Sequence, residues 1–208
     1  MAEHPTTEVR ALQLYDGASA DMQLESRGDG SPARLAGYAV RFNVLSKDLG
    51  GFQERIIPGA FDAVLKSGAD IRALFDHDSS KLLGRTSAGT LRVGKDDRGL
   101  WFSVDLPDTT FARDLAVSVK RGDIRGMSFG FRVPPGGDRF IRGTGGTPIR
   151  EVTAMDLKEI TVTSIPAYPD TSVALRVSPT IVSRLPQTWS PCRENLRRRM
   201  AIVRLRDF

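Results

Sequence analysis

The chain is a succession of short apolar segments, ARLAGYAVRFNV, ERIIPGAF, IRALFDHD, KLLGRT, TLRVGKDDRGLWFSVDLP, GMSFGFRV and LKEITVTSI, each parted from the next by Gly, Asp or Pro. Several alternate apolar and polar residues with period 2, the mark of half-buried strands, and this constrains the fold more than any other feature. So many short strands leave exposed edges unless the sheet closes. The expected fold is therefore mainly β with flanking helices (α+β), a closed or nearly closed β barrel of about seven strands. With 208 residues, the chain is long enough for one domain with a sizeable core.

Two segments carry helical spacing instead. In PGAFDAVLKSG, Pro58 opens a run with Phe61, Val64 and Leu65 on one face, and Gly68 supplies a stop. In DTTFARDLAVSVKRGD, Asp108 or Thr109 can cap the start, Phe111, Ala112, Leu115, Ala116 and Val119 make one stripe, and Gly122 ends it. KDDRG, between two apolar runs, predicts a hairpin turn in which Asp starts the turn and Gly accepts a positive φ. PPGGDRFIRGTGGTP, from Pro134 to Pro148, is too Gly-rich for a continuous core strand and predicts a surface loop or a flexible hairpin.

The ends read differently from the body. Residues 1–32 predict a mobile arm or at most one edge strand, residues 33–175 an ordered body, and residues 176–208 a basic tail. That tail holds 8 basic and 2 acidic residues of a chain whose net charge is +5, so the body is nearly neutral. Leu196, Met200 and Val203 allow a basic amphipathic helix there. Clustered arginines attract phosphates, but no interleaved aromatics read bases, so nucleic-acid contact and a merely solvated end both stay open. No apolar run approaches the roughly 20 residues of a membrane-spanning helix, and MAEHPTTEVR lacks an apolar signal core. A soluble, unsecreted protein with no membrane contact is expected. The single Cys192 makes no internal disulfide or thiolate cluster and suits a reducing compartment.

Within GDIRGMSFGFRV, strand alternation sends Met127, Phe129, Phe131 and Val133 to one face, and Gly126, Ser128, Gly130 and Arg132 to the other. Glycines on both sides leave Ser128 unshielded, so that another backbone can lie close, as a serine nucleophile needs. A serine on a solvent face, with glycines tolerated beside it, gives the same pattern. A serine nucleophile requires a base. Of two histidines, His4 lies in the arm, whereas His77 follows IRALF where a strand ends, between Asp76 and Asp78. The base in turn needs an acceptor on its other ring nitrogen. Glu159 is the choice, an acid inside an apolar, Thr-rich strand where charge needs a partner, with Asp156 as fallback. An exposed loop histidine and a solvent-facing Glu159 paired with a basic residue are the plainer readings.

FDHD with LLGRT soon after, RGMSFGF, and LKEITVTSIPAYP, in that order, resemble the prohead proteases of tailed bacteriophages, relatives of the herpesvirus assemblins. ARLAGYAVRFNVLS followed by ERIIPGAFDAVL is similar to that family's opening, and the likeness runs from about Ala33 to Leu175. The resemblance implies a serine endopeptidase on an assemblin-like barrel, with Ser128 as nucleophile, His77 as base and no cofactor or metal. The herpesvirus relatives use a second histidine as third member. Here Glu159 fits the phage pattern instead. It further implies action in the bacterial host cytoplasm, inside the assembling prohead, on the major capsid protein, on scaffold segments and on the chain itself, by a homo-oligomer. Two other readings compete: a non-enzymatic capsid or scaffold module that works through its basic tail, and a metal-dependent hydrolase centred on Asp76, His77 and Asp78.

Overall fold

In the computed structural model, residues 8–12, 22–25, 33–46, 48–49 and 51–164 are described. The basic tail, Cys192, His4 and the segment IPAYP beyond Ser164 lie outside them. Among the described residues twelve strands, numbered in chain order, form three sheets. The first runs in the order β1 (Glu8–Leu12), β9 (Gly126–Arg132), β12 (Asp156–Thr163), β5 (Arg72–Phe75) and β6 (Asp78–Arg85). The second runs β2 (Gln23–Glu25), β3 (Arg34–Arg41), β8 (Gly99–Asp105) and β7 (Leu91–Lys95). The third is β10 (Asp138–Arg142), β11 (Pro148–Val152) and β4 (Gln53–Ile56).

The mainly β character agrees with the alternation, but among the described residues the ladders form three sheets and trace no closed barrel. The apolar faces of separate sheets meet in one core instead. Leu35, Phe102 and Val104 of the second sheet share one core with Met127, Phe129, Phe131, Ile160 and Val162 of the first. The count exceeds seven because β1 and β2 form within residues 1–32, where at most one edge strand was expected. The Gly-rich stretch also supplies β10, which makes a hairpin with β11.

Burial across β11 runs unbroken through Arg150 and Glu151. Arg150, 1% exposed, donates from Nε to Asp138 Oδ2 at 2.6 Å and from Nη1 to Glu54 Oε2 at 2.8 Å, tying all three strands of the small sheet together. Buried charge of this kind persists only when paired.

Pro58–Phe61 forms a 3-10 turn that runs into α1 (Asp62–Lys66), and Gly68 follows with φ +66°. α2 (Thr110–Arg121) buries Ala112 and Leu115 and ends at Gly122, whose φ of 79° lets its N–H reach back to Val119 O at 2.9 Å. Thr109 at its start makes no side-chain cap, and Asp108 pairs with Arg113. The turn between β7 and β8 forms as expected, with Asp96 Oδ1 accepting from the N–H groups of Arg98 and Gly99 at 2.8 and 3.1 Å. Gly99 is required for a different reason from the expected one: a Cβ there would meet Val40 O at 2.0 Å. Among the described residues no helix is long and apolar enough to cross a membrane.

Cross-strand ion pairs pin the sheets and make stability depend on pH. Hydrogen bonds from Arg92 and then Arg34 hold the Asp105 carboxyl below the usual range. Burial pushes the Glu151 carboxyl up, but Arg55 and Arg139 outweigh it and hold it low. For groups whose folded pKa is depressed, the added stability is complete above the ordinary carboxylate range, about 4, and is lost as pH falls below it. The melting temperature should therefore hold steady from pH 7 to 5 and drop steeply toward pH 3. A melting temperature unchanged at pH 3 contradicts this.

Candidate active site

The strand pair β5–β6 is joined at Phe75 and Asp78, leaving Asp76 and His77 as a two-residue turn. Both have left-handed backbone, φ 50° and 57°, the conformation that a tight hairpin of this kind demands. Non-glycine residues pay for such backbone with roughly 1–3 kcal/mol each. Asp76 offsets part of that cost. Its Oδ1 accepts from Thr163 Oγ1 at 3.0 Å and from Ser164 N at 2.8 Å, and its Oδ2 accepts from Ser164 Oγ at 2.8 Å. Its own N–H donates to Val162 O at 2.9 Å, and the N–H of His77 donates to Thr161 Oγ1 at 3.1 Å. The turn that carries the histidine is thus fastened to the end of β12.

β12 brings the acid to the same place. It lies parallel to β5 with Glu159 opposite Arg72, and antiparallel to β9 with Glu159 opposite Gly130 and Thr161 opposite Ser128. His77 Nδ1 and Glu159 Oε1 are 2.7 Å apart. A carboxylate only accepts, so Nδ1 carries the proton, and the tautomer leaves the Nε2 lone pair as a base. Arg72 Nη2 stands 3.6 Å from the other oxygen, Oε2. Asp156, the fallback, is exposed at the far end of β12, opposite Arg132 and beyond an irregularity between Leu157 and Glu159.

Gly130 explains how the pair reaches β9. A Cβ at that position would sit 2.9 Å from Glu159 Cγ and 3.3 Å from Oε1, so the missing side chain is the space that the glutamate occupies. Residues two apart on a strand share a face, and that face also carries Ser128. The Glu159 side chain therefore lies over β9 at Gly130, on the face that carries Ser128. The expectation of an open serine face does not hold: Ser128 is 0% exposed, and the gap left by Gly130 is filled by a side chain rather than by a second backbone.

Of the residues singled out in the sequence, His77 and Glu159 meet directly and Ser128 lies on the strand that Glu159 packs over; the roles of Asp76, Thr161 and Arg72, which fasten the turn and the acid, were not foreseen. The one advance signal was the acid directly before the histidine. The acids of the D-H-D triplet in fact turn to separate partners: Asp76 to β12 and Asp78 to Ser80 and Lys81.

Residues 20–183 match the family model of the caudovirus prohead serine proteases. The chain belongs to that family. Among curated proteins it is 28% identical over 157 residues to the prohead protease of Enterobacteria phage HK97, a match that takes in 74% of this chain. The chain spans 64% of that relative's length. Among solved structures it is similar to the bacteriophage T4 capsid assembly protease, gp21, with a TM-score of 0.46 and 9% identity over 77% of this chain and 99% of that one. At this distance the second likeness adds nothing to the placement of side chains. Ser128, His77 and Glu159 all fall within the span matched to the prohead protease family.

If Asp76 works by positioning, Asp76→Ala should leave the fold intact, with stability lower by about 1–2 kcal/mol. The turnover rate should fall by roughly tenfold or more at nearly constant KM, because a base displaced by even an ångström is poorly placed. Asp76→Asn, which retains an acceptor, should recover part of the rate. Steady-state kinetics of the three chains on one peptide checks this, and equal turnover numbers contradict it.

Proposed function

We propose that this chain is a serine endopeptidase of prohead maturation, in which Ser128 is the nucleophile, His77 the general base and Glu159 the group that orients and charges the base. The observation that carries the reading is the 2.7 Å pair of His77 Nδ1 and Glu159 Oε1, laid over Gly130 on the serine's own strand. Ser128 Oγ attacks the scissile carbonyl carbon while Nε2 takes its proton. The imidazolium that forms is stabilised by Glu159, gives the proton to the leaving amine, and leaves an acyl-enzyme on Ser128. Water, giving a proton to the same nitrogen, then attacks the acyl carbon, and the imidazolium returns that proton to Ser128 Oγ as the acid departs. Donors to the oxyanion contribute about 3 kcal/mol each in such reactions.

The protein substrates in this reading are capsid-protein and scaffold segments and the chain's own ends, with a protease body over about 33–175 flanked by an arm and a basic tail. The family assignment supports capsid maturation as the setting. The test is coexpression with the neighbouring capsid gene product, followed by intact-mass spectrometry. New termini should appear with the natural chain and be absent with Ser128→Ala. Cleavage that persists in the alanine variant overturns the assignment.

A further inference from the structure

The order of the first sheet, β1-β9-β12-β5-β6, has a consequence for how a peptide meets the serine. Glu159 stands on β12 and His77 in the turn after β5, so the base approaches Ser128 from one flank of β9. The other flank is taken by β1, antiparallel, with Ala11 directly opposite Ser128, Val9 opposite Gly130 and Leu12 opposite Met127. A backbone in that place runs about 4.8 Å from β9, near enough for an oxygen two bonds from the Ser128 Cα to reach a carbonyl carbon.

Ser128 has no exposed surface, so a peptide can reach it only if part of the chain gives way. β1 is suited to do so. It is an edge strand of five residues whose one ladder, among the described residues, is with β9. An edge that accepts one extended segment through main-chain N–H and C=O groups accepts another of matching direction.

We propose that the outer edge of β9 is the docking strand for an extended peptide added antiparallel beside Ser128, and that residues 8–12 occupy it in the resting chain as a displaceable stand-in. The docking edge itself follows from the sheet order. Its role in hydrolysis rests on Ser128 being the nucleophile, as proposed above.

The test uses the full chain, a full-length variant R10P/A11P, and a fluorescein-labelled peptide TTEVRALQL corresponding to residues 6–14. Alternate residues of an antiparallel strand turn their N–H groups to the partner, so two adjacent prolines remove a ladder donor whichever way β1 faces. The peptide should bind the variant at least about tenfold more tightly than it binds the natural chain, the factor expected if the native strand leaves the edge open no more than a tenth of the time. A peptide methylated on the nitrogens of Arg10 and Ala11 should bind neither. Equal binding to both chains, no binding to the variant, or loss of cooperative melting in the variant overturns the proposal, the last because β1 would then be part of the scaffold. A fluorophosphonate, read in parallel, should label Ser128 faster in the variant, and the unlabelled peptide should slow that labelling. If the peptide binds as stated but neither chain is labelled, the docking edge stands and the nucleophile assignment falls. If labelling is normal and the peptide leaves its rate unchanged, the docking edge falls and the nucleophile stands.

Discussion

Replacing Ser128 by alanine is expected to lower the hydrolysis of a peptide spanning the mapped cut site by at least about 10⁴-fold, the scale seen when a nucleophile that works with its base is removed. The side chain is fully buried on a strand between β1 and β12, and loss of one hydroxyl there changes little volume, so melting should shift by no more than a few degrees. His77→Ala should cost a comparable factor, and the double variant little more than either alone, because the two residues act in a single step. Additive losses in the double variant would show that they act separately.

Glu159→Gln carries the second large effect. The amide matches the carboxylate in shape and can still accept from Nδ1, but it brings no charge to the imidazolium, and it can also turn its NH₂ toward the ring and select the wrong tautomer. A fall in turnover of roughly 10³–10⁴-fold is expected. Gly130→Ala tests the same arrangement without touching a charged group. The new Cβ would stand 2.9 Å from Glu159 Cγ, in the middle of the side chain, so the carboxylate has to move. A loss of at least roughly tenfold should follow in a chain that still folds. Kinetics on the cut-site peptide with melting curves reads both variants. Full activity in Gly130→Ala would mean that the glutamate does not need its place over β9.

Much of the molecule was legible in the sequence because local chemistry repeats a simple rule. Alternation marked β8, β9 and β12. A 3.6-residue stripe and a terminal glycine marked α2. An acid in an otherwise apolar strand marked Glu159 as a group in need of a partner. What stayed hidden depends on contacts distant in sequence. The parallel pairing of β12 with β5 brings residue 159 to the turn at 76–77, and no local pattern encodes that. Gly130 read as room for a substrate backbone, whereas it is room for Glu159. β11 carries Arg150 and Glu151 at buried positions, so its alternation is masked by charges that are neutralised only when β10 and β4 arrive, with Asp138 and Glu54 for the arginine and Arg139 and Arg55 for the glutamate. The closed barrel was inferred from the need to hide strand edges, but among the described residues the ladders form three sheets whose apolar faces meet in one core with no ladder closing a ring.

Whether the Ser128 hydroxyl is activated by His77 held on Glu159 is decided by treating the natural chain and His77→Ala with a fluorophosphonate and locating the adduct by peptide mass spectrometry. One adduct, on Ser128, is expected in the natural chain, with loss of nearly all labelling in the variant. An adduct on another residue, or Ser128 labelled at the same rate without the imidazole, would mean that the serine is not activated in this way.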